Sequence, residues 1–302
     1  MRYDVCVFGG CALDQMYYIL DDGKYSEKPD LLVPGGKAAN QAVAASRAGA
    51  VVSIISRLGK DDIGQNILDN LHYNGVLTNN VEVVDGLDND FANIYIDNNK
   101  DNHIERYVGA VNSFTKDMVK RYERVLTTSK IVLAQLKVPK EVTVELINFC
   151  YDNSIPLIIT PCRAEKLKLE DDNNKDLIDK ITYITANRSE CEAIFGTTDI
   201  EECVKKYPNK LIVTLGSDGV IYCSGDEVRH IKAINVDNLV DTTGAGDTFT
   251  GNLAYCLTHG YSLEDAIERS QYASALKVQS ATAQNGMPYK NELDNFIKSC
   301  LK

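Results

Sequence analysis

Positive charge is scarce in this chain. Its 302 residues carry 32 Lys and Arg against 43 Asp and Glu, a formal net charge of −11. Phosphate backbones and anionic membranes are held by clustered cations, so neither nucleic acid nor a membrane surface is expected as the main partner. A small anionic substrate stays open, because it needs only a local positive pocket. Nine cysteines are present, an odd number, and no two form a C-x-x-C pair. That scatter fits reduced thiols better than a disulfide framework. No apolar run approaches the ~20 residues that span a bilayer. The opening MRYDVCVFGG lacks the long apolar segment and small-residue cleavage site of a signal peptide, so a cytoplasmic protein is expected. His72, His103, His230 and His259 show no ligand spacing. There is no internal repeat and no low-complexity linker.

What is present is an ordinary globular composition, 44% hydrophobic and 25% charged, at a length that suits one large α/β domain. Residues 4–9 read as a buried strand, and the polar stretch 13–33 as poor core material that projects from the body. PGGKAANQAVAASRAG (34–49) reads as a glycine turn opening an Ala-rich helix. VVSIIS (51–56) is a strand, and Asp62 is expected to cap a helix carrying Ile63, Ile67, Leu68 and Leu71 on one face. Residues 91–98 and 103–109 read as a hairpin. From 130 onward strands alternate with helices, ending in helices at 245–259, 262–279 and 291–300. This rhythm predicts an α/β fold with a mainly parallel central sheet flanked by helices. The expectation is one domain over 1–302, with a small β excursion from roughly 11–34 and 90–109.

The segment richest in chemistry is DTTGAGDTFTGNLAYCL (241–257). Gly244, Ala245 and Gly246 stand where a helix begins, and small residues there let free N–H groups converge on an anion. Asp247, in the first turn, is placed to accept a proton from an attacking hydroxyl while those amides hold phosphoryl charge. A bare G-x-G-D is more often just a tight turn with a good first-turn acid; the wider context decides. GGK (35–37) has no G-x-x-x-x-G before Lys37 and no Ser or Thr after it, so it is no Walker A loop. GGCALD lacks the third glycine of a dinucleotide fingerprint.

DTTGAGDTFTG closely resembles the C-terminal signature of the ribokinase-like (PfkB) sugar kinases, and PGGKAANQAVAASRAGA (34–50) resembles their N-terminal signature, most of all that of the ribokinase branch. GKDDIGQNILDNL (59–71), ANRSECEAIFG (186–196) and TLGSDGV (214–220) match in the expected order. The resemblance implies an ATP-dependent carbohydrate kinase that uses Mg²⁺ and K⁺. It makes Asp247 the base and Ala245, Gly246 and the Asp247 amide the anion hole. Gly35, Gly36, Lys37 and Asn40 match the sugar-contacting stretch, and Asp14 the acid that accepts sugar hydroxyls. Asn187 and Glu190 match a motif tied to Mg²⁺ and phosphate. Thr214, Gly216, Gly219 and Gln271 match nucleotide-binding positions, and Asp241 and Thr243 ligands of a monovalent cation. The β excursion matches a lid that in some members pairs two subunits as a homodimer.

The chain departs from the pattern in three places. Ala12 stands where ribokinases have Asn, and Lys137 where they have Glu. Thr282 stands where Gly is common, beside the cation site. Lys137 and Arg163 either converge on the substrate, which would favour an anionic sugar, or point to water and pair with acids such as Glu165. Three functions compete: a sugar kinase acting on ribose or a related sugar, a nucleoside kinase of the same superfamily, and a non-catalytic sugar- or nucleotide-binding regulator. An intact Asp247 within GAGD argues against the last.

Overall fold

The structure, a computed structural model, describes residues 2–20, 23–96, 102–162 and 174–301. Arg163, Glu165, the acidic run 170–172 and most of the tip of the 91–109 hairpin lie outside the described residues. In chain order the strands are β1 (Tyr3–Phe8), β2 (Ala12–Tyr18), β3 (Leu31–Gly35), β4 (Val52–Gly59), β5 (Leu77–Val84), β6 (Phe91–Ile96), β7 (Asn102–Tyr107), β8 (Ser129–Gln135), β9 (Leu157–Thr160), β10 (Tyr183–Asn187), β11 (Leu211–Thr214), β12 (Val220–Ser224) and β13 (Glu227–Ile231). The helices are α1 (Lys37–Arg47), α2 (Asp62–Tyr73), α3 (Lys116–Arg121), α4 (Glu123–Thr127), α5 (Lys140–Asp152), α6 (Lys175–Lys180), α7 (Arg188–Phe195), α8 (Ile200–Lys206), α9 (Ala245–Thr258), α10 (Leu263–Lys277) and α11 (Lys290–Cys300).

Nine strands form one sheet in the order β13-β12-β11-β10-β9-β8-β1-β4-β5. It is parallel from β5 through to β11, and β12 and β13 close one edge antiparallel. The central strands are buried on both faces, as a helix-covered parallel sheet requires. One face packs Phe8, Val132 and Ile159 against α5 and its neighbours; the other packs Val7, Ile54 and Leu133 against α1 and α9. The stretch before residue 34, expected to belong to a small β excursion, supplies β2 and β3. These join β6 and β7 in a separate four-stranded sheet, order β3-β2-β6-β7. Asp61, not Asp62, caps α2: its carboxylate accepts the Gly64 N–H at 2.8 Å. None of the nine cysteines is in a disulfide, and seven are buried. No described helix is long and apolar enough to cross a membrane.

Candidate active site

In parallel α/β sheets ligands sit beyond the carboxyl ends of the strands, and here two helices begin at that edge without a side-chain cap. α1 starts after Gly36 (φ 84°) and α9 after Gly244 (φ 81°), both in the left-handed range that suits glycine. A Cβ on Gly36 would lie 2.7 Å from the Ala12 nitrogen, and one on Gly244 would overlap the Ala283 carbonyl. Both turns therefore demand glycine for space as well as for φ. The two helices approach closely because of Gly251: a Cβ there would stand 2.6 Å from the Ala44 Cβ and 2.7 Å from the Gln41 carbonyl oxygen. That approach brings the first turns of α1 and α9 side by side.

Asp247 lies at their junction, only 5% exposed. Its Oδ2 accepts the Asn40 amide at 2.9 Å and its Oδ1 the Gln41 amide at 3.1 Å. Gln41 is fully buried and continues the chain: its Nε2 also reaches the Thr160 hydroxyl at 3.1 Å, and its Oε1 accepts Gln135 Nε2 at 2.8 Å. Asn40 is held in turn by Gln284, whose Nε2 donates to the Asn40 Oδ1 at 3.0 Å. Each carboxylate oxygen thus has one protein donor and retains lone-pair capacity for a substrate hydroxyl. A network satisfied in this way fixes orientation, because any displacement strands a buried polar group. Gln41, Gln135, Thr160 and Gln284 were not anticipated from the sequence.

A cavity of about 450 Å³ opens in front of Asp247. Asp14, Gly36, Lys37, Asn40 and Lys137 line it, so these expected residues share one site. Gly35 sits just outside, its Cβ position 3.6 Å from Asp14 Oδ2. The four-stranded sheet contributes Phe91 and Tyr107, stacked with centroids 4.4 Å apart, and Arg106, which the sequence reading missed. Burial raises the Asp14 carboxyl above its ordinary range, and the Arg106 and Lys137 charges pull it back only in part. Lys137 therefore faces the cavity beside an acid rather than open water. Lys37 bridges to Glu190 at 3.3 Å. Burial pushes its amine down, but the Asp247 and Glu190 carboxylates outweigh this and hold it above the usual lysine value.

A second cavity of about 350 Å³ lies on the other side of the α9 N-terminus. Its wall includes Thr214, Gly216, Gly219, Ala245, Gly246 and Gln271, with Ile234, Leu239 and Val278 as its apolar part. Gln271 donates to the Lys232 carbonyl at 3.3 Å. Gly219 (φ 97°) has no room for a side chain, since a Cβ would meet the Ile231 and Ala233 backbone. Asn187 and Glu190 form the capping box of α7: Asn187 Oδ1 accepts the Glu190 N–H at 2.8 Å and Glu190 Oε2 the Asn187 N–H at 3.0 Å. At the start of α9 the Ala245 N–H, expected among the anion donors, is given to the Thr242 carbonyl at 3.1 Å. The N–H groups of Gly246 and Asp247 find no backbone acceptor among the described residues, so the donor set is smaller than expected. Asp241 and Thr243 precede this turn. Thr243 donates its N–H to Asp241 Oδ1 at 2.8 Å, and Thr282 donates to Oδ2 at 2.9 Å.

Comparison with known proteins identifies the family. The family model for pfkB family carbohydrate kinases matches residues 4–290. The ribokinase of Lactococcus lactis is 40% identical over 268 residues, covering 88% of this chain and 86% of the relative. That of Bacillus subtilis is 36% identical over 300 residues, covering 97% and 99%. Among solved structures, the Arabidopsis thaliana ribokinase complexed with ribose and ATP superposes with a TM-score of 0.88 at 25% identity, over 99% of both chains. The chain belongs to the pfkB family of carbohydrate kinases.

Proposed function

We propose that this chain transfers the γ-phosphoryl group of ATP to a hydroxyl of ribose. The observation that carries the reading is the placement of two cavities against one helix start: Asp247 faces the first, while Ala245 and Gly246 wall the second. A sugar hydroxyl in the first cavity and a triphosphate entering from the second would meet at the N-terminus of α9. There Asp247 takes the hydroxyl proton, and the Gly246 and Asp247 N–H groups stabilise charge on the transferring group. Magnesium arrives on the nucleotide as part of the substrate and neutralises charge between the β- and γ-phosphates. Asn187 lines a groove together with Thr214 and Gly216 of the second cavity, and Glu190 pairs with Lys37 of the first. In this reading Gln271, Gly216 and Gly219 shape the nucleobase end.

The sugar-side cavity favours a neutral sugar. Its three cations, Lys37, Arg106 and Lys137, stand against three carboxylates, Asp14, Asp90 and Asp247. Among the described residues this wall has no excess of cations, which is what an anionic sugar would need. The four-stranded sheet acts as a lid through Arg106, Phe91 and Tyr107. It also exposes Tyr18, Leu31 and Leu32, each just over 40% accessible, which fits pairing of two copies through that sheet. A coupled ATP-consumption assay over ribose, deoxyribose, fructose, a keto-deoxy sugar acid and adenosine tests the reading. Ribose is expected to give the highest kcat/KM. A higher value for adenosine or the sugar acid would overturn the choice of substrate.

A further inference from the structure

Lys277, the last residue of α10, has a side chain that the proposed phosphoryl transfer does not use, and it is 0% exposed. Its Nζ donates to the Asp241 carbonyl at 2.9 Å and to the Ser280 carbonyl at 3.3 Å. A buried ammonium is costly unless charge and hydrogen bonds compensate it, and three features here offset part of that cost. The two carbonyls accept its protons. Burial holds the amine below the ordinary lysine value, and the nearby Asp241 carboxylate opposes this in part. The C-terminal end of α10 carries partial negative charge, which favours a cation in its last turn.

The same neighbourhood is where family resemblance places a monovalent cation, at Asp241 and Thr243. A cation of the protein itself already takes part of that donor set. Both carboxylate oxygens of Asp241 already accept backbone N–H groups, and its carbonyl is bonded to Lys277. We propose that the Lys277 ammonium is itself the cation of this site, so that the enzyme works without potassium. An ammonium ion and a potassium ion are similar in size and both take carbonyl oxygens as partners, so the replacement conserves charge and donor set. The tethered cation would fix the loop that leads into Gly244. Other ties from α10 point the same way: the Val278 carbonyl accepts the Val240 and Asp241 N–H groups at 2.9 and 3.1 Å, and Ser274 donates to the Ala245 carbonyl at 2.9 Å. Lys277 is thus a positioning residue for the proposed anion-binding turn, and this inference rests on that reading of residues 244–247.

The test compares the wild-type full chain with Lys277→Ala and Lys277→Met. Each is assayed in choline, sodium and potassium chloride at one ionic strength, reading kcat on the best sugar of the panel and Tm without substrate. The wild type should vary less than twofold among salts, with one Tm. Lys277→Ala should lose at least tenfold in choline and recover most of it in potassium, with a Tm rise in potassium alone. Lys277→Met, which fills the stem volume without charge, should stay low in every salt. Fivefold or greater activation of the wild type by potassium would overturn the proposal. So would full activity of either variant in choline, or a loss in Lys277→Ala that no cation restores. If Lys277→Ala is insoluble, the wild-type and Lys277→Met results decide. If no sugar on the panel reacts, the substrate reading alone fails, and the salt dependence of Tm still judges Lys277.

Discussion

The two cavities that share the start of α9 are built from different material. The proposed sugar side is lined by side chains, among them Asp14, Lys37, Asn40, Lys137 and Asp247; behind Asn40 and Asp247 lie the buried Gln41 of α1, Gln135 of β8 and Thr160 of β9, joined to them by hydrogen bonds across 94 to 207 residues of sequence. The proposed nucleotide side is a wall of backbone and apolar surface, with glycine turns at Gly216 and Gly219 and aliphatic groups such as Leu239 and Val278. Recognition by side chains is sensitive to residue identity, because each buried polar group that loses its partner costs about 1–3 kcal/mol. Recognition by backbone is sensitive only to whether the chain can hold its conformation and leave room. The contrast explains why a protein that must choose one sugar among many polyols, yet needs only a nucleotide of fixed shape, divides its site in this way.

Asp247→Asn should break the sugar side most severely. The amide keeps the shape but cannot accept the proton, so kcat should fall by about 10²–10⁴ with ATP affinity unchanged. Retention of near wild-type turnover in a steady-state assay would remove Asp247 from the role of base. The backbone side is tested by a pair of glycines. A Cβ on Gly246 meets no protein atom within 4 Å, so Gly246→Val should keep Tm while lowering kcat by about 10²–10³, the usual loss for an anion-hole donor. Gly244→Ala should instead cost stability, since φ is 81° and the methyl would meet the Ala283 carbonyl. A strained residue of that kind costs of order 1–3 kcal/mol. If thermal unfolding showed the two variants equally stable, the division between ligand room and protein room would be wrong.

The legible parts of the site are those written in short segments. GGK…AN and GAGD each mark a helix start, and both starts proved to be uncapped and side by side. The Gln41–Gln135–Thr160 network was not legible, because a glutamine inside an Ala-rich helix carries no local signal of what faces it. Lys277 was invisible for a related reason: a lysine at the end of a helix ordinarily reads as solvated. The two strands not anticipated, β5 (LTNNVEVV) and β13 (EVRHI), are the two edges of the large sheet. Edge strands are covered less completely than central ones and tolerate charge, so neither has the apolar run that betrays a buried strand. Arg106 escaped because a charged residue in an exposed hairpin is normally surface.

Gln41→Leu sharpens the comparison at smaller cost. It keeps much of the volume but leaves Gln135 Nε2 without its acceptor and Asp247 Oδ1 without its donor. Stability should fall by about 1–3 kcal/mol. Turnover should fall by roughly tenfold as the carboxylate loses its orientation, with KM for ATP unchanged because the nucleotide wall is untouched. A rise in KM for ATP with unchanged kcat would place Gln41 on the wrong side of the partition.

The smallest effect is expected at Thr282, on the backbone side. Its φ of 65° puts a β-branched residue in the left-handed region, a rare and strained placement. The fold tolerates it because the Thr282 N–H is drawn to Asp241 Oδ2 at 2.9 Å. Glycine would adopt the same φ without strain and keep the same N–H. Relief of about 1–3 kcal/mol of strain, offset by the roughly 0.5–1 kcal/mol that glycine loses in chain entropy on folding, leaves a net gain of about 1 kcal/mol, or some 2–4 °C in Tm. Thr282→Gly should therefore melt slightly higher at unchanged kcat. It should also remain indifferent to potassium, because on this geometry the cation is set by the Lys277 ammonium and not by the residue at 282. Potassium activation appearing in Thr282→Gly while Lys277 is intact would show that strain at 282, and not the buried lysine, closes the site to the ion.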